Sequence, residues 1–237
     1  MVTPPSSDTI RERFAALTTA HVTDGCVRAG LETRCVGLTA VIPGTSIAGR
    51  VLPARHSGSV DVFLEAFDSA LPGDVLCVDN AGRTDESCVG DLVALEALGA
   101  ELGGIAIWGL NRDTSEIRAI GLPVFSLGML PTGPLHHAPR PSDALDAATL
   151  GEFTVSSDDI VFGDADGIVF VPAGRVDEVL TIAEEIFATE SAQAERIRAG
   201  ASLRSQVQFG RYLADRAQNP ALTFREHLRT VHGEVEV

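Results

Sequence analysis

The sequence predicts an α/β protein, because buried strands alternate with helices through its middle third. Residues 75–78 form a continuous apolar run, which is typical of a strand covered on both faces. A predicted helix at residues 90–102 and an apolar strand at residues 105–108 follow. Such a strand–helix–strand unit almost always crosses over right-handed and makes a parallel pair. The pattern repeats with a helix at residues 114–120 and a short strand at residues 123–126, so we expect a parallel sheet.

The N-terminal part predicts two helices, a strand and a third helix. Residues 8–17 have apolar side chains at helical spacing, and Thr23 with Asp24 is typical of a cap that opens a second short helix. β-rich sequence follows at residues 45–54. Residues 60–71 place apolar side chains on one helical face, and a Pro-Gly turn ends that helix. We expect these helices to cover the sheet.

The C-terminal half predicts a long loop, three strands and a group of helices. Residues 127–141 are rich in proline and contain the pair His136-His137, which favours an ordered loop without regular structure. Strands are predicted at residues 152–155, 160–162 and 168–171, with a hairpin turn at 163–167. Helices are predicted at residues 174–199, 209–216 and 223–231. We assign residues 1–204 to one main domain and residues 205–237 to a C-terminal helical extension.

The charge balance excludes several functions. All 18 basic residues are arginine and 33 residues are acidic, which gives a formal net charge of −15. Such a surface repels a polyanion, so we expect no nucleic-acid partner. The absence of lysine removes the amine that Schiff-base chemistry needs and the lysine of a Walker A loop. If the protein breaks carbon–carbon bonds, a metal must therefore stabilise the developing negative charge.

Hydropathy and cysteine spacing indicate a cytoplasmic protein. No apolar run approaches the roughly 20 residues that span a bilayer, and the first residues lack the apolar core of a secretion signal. The four cysteines lack the paired spacing of a zinc site, and we expect them to be buried thiols: Cys26, Cys35, Cys77 and Cys88. Cys88 lies near the candidate site, but no histidine stands at a position diagnostic of thiol activation.

Two stretches of the chain carry the candidate site. Asp91 lies in the first turn of its predicted helix, where free amides and the helix dipole favour an anion, so the amides of Leu92 and Val93 can receive a carboxylate. Arg112 and Asp113 follow a buried strand at its carboxyl end, where α/β proteins place ligands. The guanidinium can bind a carboxylate through two hydrogen bonds, and the aspartate can coordinate a hard cation. An Arg-Asp dipeptide alone is more often a helix cap or a surface ion pair.

The order of these residues resembles the signature of the RraA-like family, which includes class II aldolases. The signature of those aldolases is an aspartate followed, after twenty intervening residues, by arginine and aspartate. Asp91 and Arg112-Asp113 have this spacing here. The resemblance runs from about residue 18 through residues 72–76, 121–125 and 164–169 to Glu190, which is most of the chain. It implies a ββα sandwich similar to phosphohistidine swivelling domains, with flanking N- and C-terminal helices. It also implies a homotrimer or homohexamer with active sites between subunits.

The resemblance also implies a role for each residue. Asp113 would ligate a divalent cation, Mg²⁺ or Mn²⁺, and Arg112 would bind the pyruvyl part of the substrate. Asp91 would hold metal-bound water. Glu190 aligns with a glutamate that reaches the metal's water shell from the adjacent subunit. The implied substrate-binding residues are Gly90, Asp91, Leu92, Val93 and Arg112.

The implied reaction is cleavage of a 4-hydroxy-2-oxo acid, of the 4-hydroxy-4-methyl-2-oxoglutarate or 4-carboxy-4-hydroxy-2-oxoadipate type, to pyruvate and a second oxo compound. A metal chelated by the 2-oxo acid would stabilise the pyruvate enolate, and metal-held water positioned by Asp91 would take the proton of the C4 hydroxyl. Loss of carbon dioxide from oxaloacetate gives the same enolate. The mechanism therefore implies oxaloacetate decarboxylase side activity.

Other relatives with this fold are described as regulators that bind and inhibit ribonuclease E. Those regulators can lack the complete aspartate signature, so Asp91 and Asp113 favour catalysis here. A third label in the family, demethylmenaquinone methyltransferase, is disfavoured because no glycine-rich adenosylmethionine loop follows a first strand. The family often has a Gly-Asp-Asn turn where this chain has the different residues 58–61, which predicts a changed pocket for the non-pyruvyl end of the substrate.

The histidines favour packing roles at this stage. A site for a hard cation prefers oxygen donors, so we expect His136 and His137 to make loop or subunit contacts. His21 and His56 could approach the pocket, but nothing in the sequence separates that from ordinary polar packing.

Overall fold

The computed structural model describes residues 6–231. The helices are α1 (Ser7–Phe14), α2 (Thr19–Arg28), α3 (Asp61–Asp68), α4 (Asp91–Gly99), α5 (Thr114–Ile120), α6 (Val176–Arg198), α7 (Leu203–Gln206), α8 (Phe209–Gln218) and α9 (Phe224–Val231). The strands are β1 (Arg34–Val36), β2 (Thr39–Ala40), β3 (Ile47–Arg55), β4 (Val75–Asp79), β5 (Ser87–Val89), β6 (Gly104–Trp108), β7 (Leu110–Asn111), β8 (Val124–Ser126), β9 (Gly128–Met129), β10 (Ala148–Leu150), β11 (Phe153–Val155), β12 (Asp159–Asp164) and β13 (Gly167–Pro172). The predicted α/β class is confirmed.

The main sheet has eight strands in the order β1-β13-β12-β3-β4-β6-β8-β2. The four strands β3, β4, β6 and β8 are parallel neighbours, as the repeated strand–helix–strand pattern predicts. The remaining pairs are antiparallel. The sheet is therefore mixed, with a parallel half and an antiparallel half joined at β3.

The sheet curls on itself. Its two edge strands are β1 and β2, and only Gly37 and Leu38 lie between them in the chain. Since consecutive Cα atoms are about 3.8 Å apart, the two edges must approach one another closely. The curled sheet encloses an apolar interior and presents an outer face to the helices.

Alternation along the strands divides the core in the way this curl requires. Val75 and Cys77 of β4 face the sheet interior, whereas Leu76 and Val78 face α3, α4 and α5. On the antiparallel half, Phe162 packs against α1, α2 and α6. The hairpin of β10 and β11 lies against the sheet interior. Helices thus cover both halves of the outer face.

Two local expectations are wrong. The second helix begins earlier than predicted, because Thr18 caps it. The Thr18 hydroxyl accepts a hydrogen bond from the backbone amide of His21, and the backbone amide of Thr18 donates one to the His21 ring. Thr23 lies within this helix, and its hydroxyl donates to the carbonyl of Thr19. Cys35 is exposed on the edge strand β1, whereas the other three cysteines are buried as expected.

The C-terminal helices pack around their own aromatic cluster. Tyr212 contacts Phe209 and Phe224, and His227 stacks on Phe224. The buried His227 ring also reaches the carbonyl of Val207 through Nε2 at 2.8 Å. These contacts account for the aromatic residues of the tail within this chain.

Within residues 6–231, we find no helix with the length and apolar character needed to cross a membrane.

Candidate active site

Two very short strands bring the predicted site segments together. The strands β5 and β7 pair in parallel, with Val89 opposite Asn111. The amide of Arg112 donates to the carbonyl of Val89 at 2.9 Å. Gly90 and Arg112 are therefore the first residues after two adjacent strand ends. Arg112 and Asp113 follow β6 by a few residues, as the sequence predicts, and the short strand β7, which belongs to a separate three-stranded sheet, lies between.

Gly90 lies directly against the carboxylate of Asp113. A Cβ atom at position 90 would fall closer to Asp113 Oδ2 than real Cβ atoms come to any neighbour, and 3.2 Å from Arg112 Nε. The φ angle of Gly90 is −125°, so any residue could adopt its backbone conformation. A side chain at position 90 would therefore have to displace the Asp113 carboxylate.

The Asp113 carboxylate does not cap its own helix. Asp113 stands at the N-cap position of α5, but its side chain makes no capping hydrogen bond, and its φ of 54° is in the left-handed region. A non-glycine residue in this region costs of the order of 1–3 kcal/mol. Its Oδ2 instead lies 3.4 Å from the Asp91 amide and 3.4 Å from Arg112 Nε. The interpretation of this dipeptide as an ordinary helix cap is therefore excluded.

The N-terminus of α4 supplies a second polar wall. Asp91 is the first residue of the helix, and its Oδ1 accepts the Leu92 amide at 2.8 Å. The first amides of a helix have no partner inside the helix, so the Val93 amide is available to an anion. The Leu92 amide would become available only if the Asp91 side chain turned toward another ligand.

A cavity of about 240 Å³ opens beside these groups. Its wall includes the predicted substrate-binding residues, together with polar and apolar side chains from three other segments: His56, Val60, Ser87, Cys88, Gly90, Asp91, Leu92, Val93, Arg112 and Pro134. The backbone of the proline-rich loop packs on the guanidinium, since a Cβ at Gly133 would lie 2.7 Å from Arg112 Nη1. The loop thus fixes one side of Arg112.

A buried carboxylate holds that loop in place. Glu86 is 1% exposed, and its Oε2 accepts the amides of Leu135 and His136 at 2.6 and 3.0 Å and lies 3.0 Å from His136 Nδ1. Burial alone would raise the pKa of Glu86, but these hydrogen bonds and the charge of Arg83 lower it to about 2. His136 therefore makes a loop contact, as the sequence predicts, and Glu86 is a residue that sequence reasoning missed.

His56 is the histidine that lines the cavity. Its Nδ1 lies 2.8 Å from Asn80 Oδ1, and its ring stacks on Phe63 with centroids 5.4 Å apart and planes 9° apart. Asn80 is buried and was not singled out from the sequence. The only sequence signal was position, because His56 and Asn80 each follow the carboxyl end of a parallel strand.

Asp91 and Asp113 fit a divalent cation that keeps much of its water. Mg²⁺ is usually bound through one or two carboxylates, with waters and substrate oxygens completing its shell. Across residues 6–231, no group of three or more His, Cys, Asp or Glu side chains is arranged to hold a metal ion. A metal cage built by this protein chain alone therefore does not fit, whereas a site completed by water and substrate does.

Glu190 lies on a different part of the protomer. It belongs to α6, and its Oε2 is 3.1 Å from His21 Nε2 on α2. Glu190 does not line the cavity beside Arg112. Burial and the charge of Glu190 raise the pKa of the neighbouring Asp24. A role for Glu190 in an adjacent subunit stays a prediction.

Cys88 is a wall residue and not an activated thiol. It is buried, and burial strongly raises its pKa, so the thiol form is favoured at neutral pH. This agrees with the absence of a paired base in the sequence.

Comparisons with known proteins agree with this fold. The family model described as RraA-like, Aldolase/RraA, matches residues 19–170. The protein named "Putative 4-hydroxy-4-methyl-2-oxoglutarate aldolase" of Halalkalibacterium halodurans is 28% identical over 149 residues, which cover 61% of this chain and 70% of that protein. Protein DlpA of Legionella pneumophila is 25% identical over 190 residues, or 78% of this chain. The chain spans only 31% of the length of DlpA.

A solved structure supports the same architecture. Streptomyces coelicolor RraAS2, described as an unusual member of the RNase ES inhibitor RraA protein family, superposes with a TM-score of 0.69 at 23% identity, with 81% of this chain and 100% of that chain covered. At this identity the likeness concerns the fold. The expected RraA-like architecture is therefore confirmed.

Proposed function

The chain belongs to the RraA-like family, and on that premise we propose that it is a divalent-metal-dependent aldolase that releases pyruvate from a 4-hydroxy-2-oxo acid. The proposed substrate type is 4-hydroxy-4-methyl-2-oxoglutarate, which appears in the name of the relative from Halalkalibacterium halodurans. Mg²⁺ or Mn²⁺ is the proposed cofactor. We further propose a cytoplasmic homotrimer or homohexamer.

One observation carries the proposal: Asp91, Arg112 and Asp113 meet at the N-terminus of α4 beside a cavity large enough for a small organic acid. The Arg112 guanidinium is about half exposed and can bind the C1 carboxylate through two hydrogen bonds. The free amide at the start of α4 adds a donor for an anion. The positive charge and hydrogen-bond donors of these groups are complementary to the carboxylate of a 2-oxo acid.

The residues divide the work of carbon–carbon cleavage between binding and charge stabilisation. Asp113, together with water held by Asp91, would hold a divalent cation, which would supply Lewis-acid stabilisation of the developing negative charge. Arg112 fixes the orientation of the pyruvyl half and adds positive charge close to where negative charge develops. The chain has no lysine to form a Schiff base, so this electrostatic route is the one open to it.

Pyruvate release tests the proposal directly. Purified protein should convert 4-hydroxy-4-methyl-2-oxoglutarate to pyruvate with Mg²⁺ or Mn²⁺ and should lose this activity in EDTA. Asp113→Asn should abolish turnover, whereas Asp158→Asn, the same change of charge at an exposed residue that does not line the cavity, should retain it. Metal-independent turnover, or none, would contradict the proposal. Oxaloacetate decarboxylation should follow the same pattern, because it passes through the same enolate.

A second candidate function is non-catalytic regulation of ribonuclease E. The likeness to RraAS2, whose description names an RNase ES inhibitor family, favours it. The acidic net charge of −15 also suits binding to a basic protein segment. Binding of ribonuclease E that is unaffected by Asp113→Ala, in a protein without lyase activity, would favour this function over the first.

A further inference from the structure

The imidazole of His56 is held in one orientation at the cavity wall. Its Nδ1 lies 2.8 Å from the side-chain oxygen of Asn80, and Phe63 stacks against one ring face. Asn80 is itself only 3% exposed, and its backbone amide donates a hydrogen bond to the carbonyl of Trp108. Two independent contacts thus restrain a ring that borders the same cavity as Arg112.

The contact with Asn80 decides which ring nitrogen carries the proton. An amide oxygen only accepts hydrogen bonds, so Nδ1 must donate, and the neutral ring then keeps its lone pair on Nε2. Since Nδ1 is occupied by Asn80, Nε2 is the nitrogen left for a ligand in the cavity. A restrained neutral imidazole of this kind is equipped to accept a proton.

The sheet order separates His56 from Arg112 along the edge of the site. His56 follows β3, the segment that leads to Arg112 continues from β6, and β4 lies between these two strands. His56 and Arg112 come from different segments of the chain and line the same cavity of about 240 Å³. If Arg112 holds the C1 carboxylate, the chain of the substrate extends from there toward His56. The C4 hydroxyl is then the substrate group closest to the imidazole.

We propose that His56 is the catalytic base of the reaction and that Asn80 positions it. This inference rests on the proposed function. Nε2 takes the proton of the C4 hydroxyl, the O–H electron pair forms the C4 carbonyl, and the C3–C4 bond breaks. The electrons of that bond form the enolate of pyruvate. Water then protonates C3, and His56 returns its proton to solvent. His56 thus replaces the water beside Asp91 as the base.

The electrostatic surroundings keep the imidazole neutral. Burial lowers the pKa of His56, while the hydrogen bond to Asn80 and the carboxylates of Glu86 and Asp61 act in the opposite direction. His137 lowers it further. A base must be unprotonated at the working pH, and a lowered pKa meets that requirement.

Two assays on the same variants test the proposal. The first measures pyruvate release from 4-hydroxy-4-methyl-2-oxoglutarate. The second measures deuterium incorporation into the methyl group of pyruvate in D₂O by NMR, which needs enolate formation but no C4 hydroxyl. For His56→Gln and His56→Asn we expect cleavage to fall about 10²–10⁴-fold, the usual contribution of a general base, with deuterium exchange unchanged. Imidazole added to His56→Ala should restore part of the cleavage.

Three results would overturn the proposal. Cleavage at the wild-type rate in the His56 variants would exclude His56 as the base. Equal losses of cleavage and exchange in the His56 variants would mean that His56 acts on the pyruvyl half of the substrate or is needed for folding. A wild-type protein that shows neither activity would overturn the proposed function, and this inference with it. Retained exchange in the variants also demonstrates that they are folded and bind pyruvate.

The positioning role of Asn80 has its own readout. Asn80→Asp places a negative charge against Nδ1, which favours the protonated ring and raises the pKa of His56. The acidic limb of the pH profile of kcat/KM should therefore move to higher pH. A purely structural role of Asn80 would lower activity at all pH values without moving this limb, and that result would remove Asn80 from the proposal.

Discussion

The backbone of Gly90 packs against the carboxylate of Asp113 with no room for a side chain between them. The two residues are 23 positions apart in sequence, and they meet because β5 and β7 pair in parallel. Asp113 Oδ2 also approaches the Asp91 amide, so the contact sets the position of the carboxylate relative to α4. Even the addition of a single methyl group at position 90 should therefore disturb the site directly.

Gly90→Ala should displace the Asp113 carboxylate and reduce kcat/KM for pyruvate release about 10²-fold, the cost of a misplacement of the order of 1 Å. Gly99→Ala is the matched control, since a Cβ at Gly99 of the same helix meets nothing within 4 Å. Steady-state kinetics and thermal unfolding of both variants separate a site effect from a loss of stability. Equal activity of the two variants would mean that the contact does not matter for the reaction.

Glu86→Gln should loosen the loop that packs on Arg112. The change removes a buried charge that receives two backbone amides, and the loss should be about 1–3 kcal/mol in the free energy of unfolding. Because the contacts of Arg112 with the loop weaken, KM should rise more than kcat falls. Urea unfolding and steady-state kinetics measure both effects, and the exposed Glu96→Gln on α4 is the control.

The same carboxylate predicts a dependence of stability on pH. The folded-state pKa of Glu86 is about 2, below its ordinary value, so its contribution to stability is complete above the unfolded-state pKa and is lost as the pH falls through the folded-state value. The difference in unfolding free energy between wild type and Glu86→Gln should therefore shrink as the pH is lowered from 5 to about 2. A constant difference over this range would contradict the assignment.

Local signals predicted much of the fold. The helix at residues 114–120 has the predicted bounds, because its sequence carries helical spacing and a glycine at its end. The strands β5 and β7 were missed because three and two residues are too few to show any periodicity. Yet these two strands, and not β6 alone, bring the site segments together.

The composition of the site was only partly visible in the sequence. Asp91, Arg112 and Asp113 stand in a spacing that can be read from the chain. The contact between Glu86 and His136 joins residues 50 positions apart, and no local sequence pattern predicts it. The sequence does not distinguish His56 from a histidine in ordinary polar packing. The contacts with Phe63 and Asn80 that fix its ring exist only in the folded structure.

Exposed leucines on α4 predict a contact surface next to the site. Leu92, Leu95 and Leu98 are spaced three residues apart on the helix and are 75%, 54% and 44% exposed. Burying one such side chain contributes about 1.5–3 kcal/mol. Leu95→Glu should therefore weaken the proposed oligomer, which sedimentation velocity would detect, whereas Glu96→Gln should not. An unchanged sedimentation coefficient for Leu95→Glu would exclude this face from the interface.

Glu190 offers a test of whether sites form between subunits. The backbone amide of Thr18 donates to His21 Nδ1 at 3.0 Å, so the neutral ring carries its proton on Nε2 and donates to Glu190 Oε2. The Glu190 carboxylate is thus oriented, although it lies away from the cavity of its own protomer. If it completes the site of a neighbouring subunit, Glu190→Gln and Asp113→Asn should each be inactive as pure proteins.

Mixed oligomers of these two variants should then recover part of the wild-type activity. Some sites in such a mixture combine an intact Asp113 from one subunit with an intact Glu190 from the next, because a contact between different surface patches pairs distinct residues across each interface. Pyruvate release after co-refolding of the two variants measures this recovery. If the mixture stays inactive while Glu190→Gln alone is also inactive, both residues must act within the same protomer, and the contribution from a neighbouring subunit is excluded.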